Sequence, residues 1–220
     1  MKLGLLGKGK TGSKVIELFP SAVVFDSNSK ATVESLKQLD AVISFLPGPA
    51  FLQHIPLLLE AKTPTVVGST GFEWPLDIQA KLVDQDLKWI YGHNFSLGMN
   101  LVFKMIKILG KAPALFEKLE CSIHEIHHTQ KLDSPSGTAL KWKDWLGLEA
   151  SISSEREGDV IGDHQLRLKT ENEEITLQHK ALDRKIFAEG AIWAATKLTT
   201  NPTIEAGLHR FEDISLKELL

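Results

Sequence analysis

The chain has 220 residues, 43% of them hydrophobic and 24% charged, with a formal net charge of -3. That composition is ordinary for a globular protein of one large or two small domains, and its mild acidity excludes the basic footprint of a nucleic-acid binder. The single cysteine, Cys121, excludes an internal disulfide, and no apolar run reaches the ~20 residues of a membrane span, so a cytoplasmic protein without a membrane partner is expected.

The segment Met1–Gly7 begins like a signal peptide, but glycine interrupts it and no small-residue cleavage site follows a long apolar core. Short apolar runs then alternate with helical patterns. Strands are expected at Lys2–Leu6, Ala22–Phe25, Ala41–Phe45, Thr65–Val67 and Lys88–Tyr91, each apolar on successive positions, as in strands covered on both faces. Helices are expected between them at Thr11–Phe19, Thr32–Gln38, Ala50–Ala61 and Leu76–Gln85. This alternation predicts an α/β fold with a Rossmann-type doubly wound parallel sheet. Beyond Asn94 the pattern changes. Leu101–Leu109, Ser136–Trp145 and Arg184–Leu198 read as helices. Leu119–His128, Gly158–Ile161, Gln165–Leu168 and Ile175–His179 read as strands of an open mixed sheet with one wet face. The expected organisation is a dinucleotide-binding domain from residues 1–94 plus 191–220, and a second, α+β domain from residues 95–190.

Gly7-Lys8-Gly9-Lys10-Thr11-Gly12 follows the first expected strand and opens the first helix, the context that a G-x-G-x-x-G dinucleotide fingerprint requires. Gly7 suits the tight turn, Gly9 lets backbone approach a pyrophosphate, and Gly12 lets helix and strand pack closely. Asp26 ends the second strand, where a carboxylate accepts hydrogen bonds from a ribose diol and repels a 2′-phosphate. No arginine follows it, though Lys30 is near, so the cofactor is NADH or NADPH with NADH favoured. Gly68-Ser69-Thr70 follows the fourth strand, at the sheet end where ligands of such folds bind.

The richest segment is Glu125-Ile126-His127-His128-Thr129-Gln130-Lys131-Leu132-Asp133-Ser134-Pro135-Ser136-Gly137-Thr138-Ala139. Histidines move protons near neutral pH, and a lysine holds or protonates an anion. Ser134 reads as a helix N-cap with Pro135 at the first helical position, leaving the N–H groups of Ser136, Gly137 and Thr138 as a carboxylate cradle that Lys131 completes. His124-Glu125-Ile126-His127-His128 also satisfies the H-E-x-x-H zinc pattern, but that pattern needs a helix, and the surrounding alternation predicts a strand. No metal is expected.

This segment resembles the signature of the 4-hydroxy-tetrahydrodipicolinate reductases, also called dihydrodipicolinate reductases, which reads approximately E-x-H-H-x-x-K-x-D-x-P-S-G-T-A. The resemblance extends to Gly7–Gly12, Gly68–Phe72, Asn94–Asn100, Arg156–Gly158, Ile161–His164 and Arg184–Ala191, nearly the whole chain in order. It implies His127 as the proton donor or acceptor and Lys131 as a second proton donor that steadies the substrate. It also implies substrate binding by His128 with Ser136, Gly137 and Thr138. Cofactor contacts are implied at Gly7, Lys8, Gly9, Lys10, Thr11, Gly12, Asp26, Gly68, Ser69, Thr70, Gly92, His93, Asn94 and Phe95. It further implies a homotetramer, closure of the two domains over a small dicarboxylate substrate, and a role in lysine and diaminopimelate biosynthesis. Leu46-Pro47-Gly48 departs from the family, which commonly has Thr or Ser after the third strand. Two other readings stay open from the residues alone: a reductase of another imino or oxo acid, and a non-catalytic NAD-binding sensor.

Overall fold

The computed structural model describes residues 1–217; residues 218–220, the end of the segment expected to rejoin the first domain, lie outside them. The chain divides into two compact units, one from Met1–Ser96 together with the segment from Arg184 onward, the other Leu97–Asp183. The return to the first unit therefore begins before residue 191, because an unbroken helix starts at Lys185.

The first unit opens with β1 (Leu3–Leu6), α1 (Lys10–Leu18), β2 (Val23–Phe25), α2 (Val33–Leu36) and β3 (Ala41–Ser44). It continues with α3 (Gly48–Glu60), β4 (Thr65–Val67), α4 (Ile78–Asp84) and β5 (Lys88–Tyr91). Strands β1, β3 and β4 are buried along their whole length, which is why their sequences run apolar without alternation. Leu6, Phe25, Leu36, Val42, Phe51, Leu58, Leu82 and Trp89 form one apolar cluster beside the sheet. The Trp89 indole N–H donates to the Thr63 carbonyl at 3.1 Å, so this large ring is buried without an orphan donor.

The second unit contains α5 (Leu97–Leu109), a 3-10 turn at Ala112–Ala114, β6 (Glu120–His127), α6 (Gly137–Leu146), β7 (Ser151–Arg156), β8 (Gly162–Lys169) and β9 (Glu174–Ala181). Its sheet runs β7-β6-β8-β9. β7 is parallel to β6, and the other two pairings are antiparallel. Met99, Val102 and Ile106 of α5 pack with Trp142 and Leu146 of α6 and with Ile123, Leu166 and Leu168 of the sheet. The other sheet face carries exposed Arg167, Thr176, Gln178 and Lys180.

Two expectations fail here. Gly158–Ile161 is a turn, with Gly158 at φ +42°, and the strand is β7 instead. β7 holds one strongly apolar residue, Ile152, and lies at the sheet edge, so hydrophobic patterning carries almost no trace of it. Helix α5 already begins at Leu97, where the expected start was Leu101.

The chain then re-enters the first unit through α7 (Lys185–Thr200), β10 (Gly207–Arg210) and α8 (Phe211–Lys217). The small residues Ala188, Gly190, Ala191, Ala194 and Ala195 are buried, letting α7 lie close against α1, β3 and β4. β10 completes a six-stranded sheet of order β2-β1-β3-β4-β5-β10, parallel throughout. The order reverses between β1 and β3, so a crevice opens at the carboxyl ends of those two strands. No helix among the described residues is long and apolar enough to cross a membrane.

Candidate active site

The crevice of the first unit is a groove of about 580 Å³ lined by Gly7, Lys8, Gly9, Lys10, Thr11, Asp26, Ser27, Phe45, Leu46, Pro47, Gly68 and Thr70. Its glycines have separate reasons. Gly7 adopts φ +94°, which side chains resist. A Cβ on Gly12 would lie 2.0 Å from the Gly7 carbonyl oxygen, so only hydrogen fits between loop and helix. A Cβ on Gly9 would meet nothing within 4 Å, which leaves backbone open at the N-terminus of α1, the geometry a pyrophosphate needs.

Asp26 also borders a second cavity of about 430 Å³ with Leu6, Phe25, Ser27, Lys30, Gln53, His54 and Leu57. Asp26 Oδ1 accepts the N–H groups of Asn28 and Ser29 at 2.8 and 3.0 Å. Those two bonds hold its carboxyl below the usual carboxylate value.

Not every expected cofactor residue reaches these spaces. Ser69 is buried, its hydroxyl 3.1 Å from that of Ser44, and it lines neither cavity. Gly12 acts by packing. Gly92, His93, Asn94 and Phe95 follow β5 but line neither cavity: Phe95 packs on Phe45 and Phe211, and Asn94 Oδ1 accepts the Ser96 N–H. Phe45, Leu46 and Pro47 do line the groove although the family's hydroxyl residue is absent. Ser27, Gln53 and His54 were not foreseen; Ser27 follows the end of β2, and Gln53 and His54 lie in the middle of α3, where no local sequence signal marks them.

In the second unit, strand register assembles a buried ionisable cluster. Glu125 on β6 stands across from His164 on β8 and Ser154 on β7, and His127 stands beside Arg156. Glu125 is fully buried, His127 is 7% exposed and His164 4%. Glu125 Oε1 accepts the Ser136 N–H at 2.8 Å and lies 3.5 Å from Arg156 Nη2. Glu125 Oε2 lies 3.4 Å from His127 Nδ1 and 3.5 Å from His164 Nε2, just outside hydrogen-bond geometry. Burial pushes the Glu125 carboxyl up, but bonds from the Ser136 hydroxyl and N–H and from Ser154, with His127 beside it, outweigh burial and hold it below its ordinary value. Burial lowers His127; Glu125 and Asp133 oppose this, while Lys131 and Arg156 reinforce it.

His164 is lowered to about 4, by burial first and then by His127. Its folded value lies below the unfolded 6.5, so the folded state holds it neutral and the unfolded state takes up the proton. Its stabilising contribution is complete above pH 6.5 and is lost as pH falls towards 4. Acid unfolding of wild type, compared with His164→Gln, should show this pH-dependent component, on the order of 3 kcal/mol in wild type, missing from the variant.

The loop after β6 carries the remaining groups. His128 is half-buried just past the strand end. Lys131 Nζ lies 2.7 Å from Asp133 Oδ1. The Lys131 contact first, and the Gly137 N–H also, hold the Asp133 carboxyl low. Arg156 donates from Nε to the Lys131 carbonyl at 3.3 Å and from Nη2 to the Asp133 carbonyl, fixing the loop.

The expected N-cap is corrected. Ser134 precedes a cis peptide to Pro135, and the cap is Ser136, whose Oγ accepts the Ala139 N–H at 3.2 Å. Ser136 is thus buried inside the cluster, its N–H given to Glu125, while exposed Gly137 and half-buried Thr138 stay at the helix start. A Cβ on Gly137 would meet nothing within 4 Å, so its backbone is open to a ligand. His124 points to the other sheet face, with Nδ1 2.8 Å from Ser153 Oγ, and the H-E-x-x-H pattern lies on a strand. Glu125, His127 and His164 do offer ligand atoms within 4.8 Å of one another, but Arg156 and Lys131 already place positive charge beside them. Glu125, Arg156 and His164 were unassigned by sequence reasoning, although each stands in a segment that carries the family resemblance.

Comparison with known proteins gives a consistent picture. The family described as dihydrodipicolinate reductase, C-terminus, matches residues 98–214. The 4-hydroxy-tetrahydrodipicolinate reductase of Thermosipho africanus is 29% identical, covering 97% of each chain. That of Syntrophus aciditrophicus is 32% identical over 80% of this chain and 72% of its own. Among solved structures, a dipicolinate-bound dihydrodipicolinate reductase from Paenisporosarcina sp. TG-14 superposes with a TM-score of 0.76 at 23% identity, covering 97% of this chain and 99% of that one.

Proposed function

The chain belongs to the dihydrodipicolinate reductase family, and from that premise we propose that it reduces 4-hydroxy-tetrahydrodipicolinate to tetrahydrodipicolinate in lysine and diaminopimelate biosynthesis. The observation that carries this reading is the carboxylate already held at the loop after β6. Lys131 Nζ lies 2.7 Å from Asp133 Oδ1, and the Gly137 N–H also helps to hold that carboxyl low, so these donors suit a carboxylate. A dicarboxylate substrate replaces Asp133 there.

The residues of the first unit fit a dinucleotide: Gly9 and Lys10 at the open start of α1 face its pyrophosphate, and Asp26 its adenosine ribose. Loss of the 4-hydroxyl as water leaves the conjugated imine, to which the nicotinamide, when bound, would supply a hydride. His127 supplies the proton to the resulting carbanionic centre, and Lys131 with the Gly137 and Thr138 amides offsets the negative charge. His128 adds a polar contact to the same substrate. The protein works in the cytoplasm as a homotetramer, for which the exposed polar face of the second unit's sheet offers a surface.

Turnover of substrate generated in place from pyruvate and aspartate semialdehyde by a synthase, read as loss of reduced nicotinamide absorbance, tests the proposal. Consumption that requires the generated substrate supports it. Dinucleotide binding without consumption would move the assignment to another imino acid or to a sensor.

NADH is the preferred cofactor in this proposal, because the Asp26 carboxylate borders the ribose end of the groove and repels a 2′-phosphate. Asp26→Asn keeps the Oδ1 acceptor for the Asn28 and Ser29 turn and removes the charge. The ratio of kcat/KM for NADPH over NADH should rise about tenfold or more in that variant, a difference of ~1.4 kcal/mol. Lys30 lines the same cavity and offers a positive charge to the phosphate. An unchanged ratio would remove Asp26 from cofactor selection.

A further inference from the structure

The buried cluster around Glu125 contains more than the proposed reaction uses. Its Oε2 is buried and has no hydrogen-bond partner, and so is His127 Nδ1, although the two are 3.4 Å apart. Buried polar atoms without partners are rare and call for an explanation. His127 Nδ1 and His164 Nε2 face this oxygen at 3.4 and 3.5 Å. His164 has a second neighbour in the Ser136 hydroxyl, 3.2 Å from Nε2. Among the described residues His127 Nδ1 has no hydrogen-bond partner, and Glu125 Oε2 is the carboxylate oxygen that faces it at 3.4 Å. A small rotation of the imidazole turns the long contact into a charge-assisted bond, and such bonds are about twice as strong as neutral ones.

The other ring nitrogen lies on a different side. His127 Nε2 is 3.2 Å from where a Cβ on Gly162 would stand, so the missing side chain there leaves that nitrogen room. Gly162 belongs to the Ile161–His164 stretch of the family resemblance, and this clearance gives it a physical role. Glu125 itself is held on the far side by the Ser136 N–H at 2.8 Å and by Arg156 at 3.5 Å. Arg156 also binds the carbonyls of Lys131 and Asp133, so the carboxylate that faces His127 is tied to the loop that holds the substrate.

We propose that Glu125 is the positioning residue of proton transfer: it holds His127 through Nδ1–H and leaves Nε2 as the atom that gives the proton. This deepens the proposed function and rests on His127 being the acid. As hydride adds to the substrate, the Nε2–H bond of the imidazolium breaks. Its proton goes to the carbanionic carbon and its electron pair stays on Nε2. The ring is left neutral with its remaining proton on Nδ1, facing Glu125. The carboxylate thereby favours the charged ring before transfer and fixes the correct tautomer after it, the same division of labour as the buried carboxylate in a Ser-His-Asp triad. The groups facing His127 are Glu125 on β6, Arg156 on β7, His164 on β8, and Lys131 and Asp133 on the loop. Burial and the neighbouring His127 lower His164 to about 4, well away from the ordinary imidazole range.

Two measurements test the proposal in the free protein, apart from any assay of turnover. Nitrogen chemical shifts of His127 in the wild type, above its titration, should report the Nδ1–H tautomer; the Nε2–H tautomer would overturn the proposal. Glu125→Gln keeps an acceptor for the Ser136 N–H but loses the charge. Its His127 titration, followed by NMR, should move to lower pH, because one of the two groups that raise it is gone. An unmoved titration in the folded variant would also overturn the proposal. In the turnover assay the variant's kcat should fall at least tenfold with little change in KM, and the alkaline fall of its pH profile should begin at a lower pH. Glu125→Asp, which restores the charge, should recover part of the loss. If wild type reduces no substrate while the tautomer is Nδ1–H, the functional reading fails and the positioning geometry stands.

Discussion

Replacing His127 by alanine is expected to lower kcat by about 10²–10⁴-fold, the range that a positioned proton donor contributes, and to leave KM for the dicarboxylate within about threefold of wild type. The split follows from where the groups lie. The substrate carboxylate is assigned to Lys131 and the Gly137 N–H, and both survive the substitution. His127 touches neither. Its Nδ1 faces Glu125 Oε2 at 3.4 Å, so alanine removes the proposed proton source and leaves that oxygen facing His164. That buried oxygen then lacks its second imidazole, and a loss of stability is expected beside the loss of rate. Single-turnover reduction with saturating cofactor separates the two effects. A variant that loses kcat/KM wholly through KM would show His127 to be a binding group.

Gly190→Ala is expected to have the largest effect on stability. A Cβ on Gly190 would lie 1.7 Å from the Phe95 carbonyl oxygen and 2.8 Å from its carbon. Both are backbone atoms, so no side-chain rotation relieves the overlap, and α7 must move away from the chain that leaves β5. Overpacking that a core absorbs costs about 1–3 kcal/mol, and here the cost should reach or exceed the upper figure. For a chain of this size it corresponds to a fall of roughly 6–12 °C in the first unit's unfolding midpoint. Gly137→Ala is the matched control, since a Cβ there meets nothing within 4 Å and should leave the midpoint within about 2 °C of wild type. Calorimetry of the two variants decides. Equal midpoints would mean that α7 shifts without cost and that Gly190 has no packing role.

These two residues stand differently to the sequence. His127 could be singled out from a linear string, because its signature places a proton carrier, an ammonium and a helix start within one short segment. Gly190 also sits in a recognisable string, but nothing local says why it must be glycine. Its reason is a carbonyl that lies far away in sequence, at Phe95.

The same distinction runs through the fold. The β-α alternation up to Tyr91 was legible because strands buried on both faces need continuous apolar residues, and helices between them need a different period. The dinucleotide loop was legible because its glycines answer to local backbone geometry. β7 was not, since an edge strand such as Ser151–Arg156 is held by hydrogen bonds to β6 and needs little apolar surface. The cap at Ser136 was misplaced to Ser134 because both serines precede a helix-like run, and the burial of Ser136 against Glu125 decides between them.

By itself, then, the sequence determined the order of elements, the nucleotide loop and the proton-and-anion segment, all of which depend on residues close together in the chain. Only the tertiary structure placed His164 and Arg156 around Glu125, because strand register is a long-range pairing in which a slip of one residue turns each side chain to the opposite face. What surrounds His127 follows from that pairing.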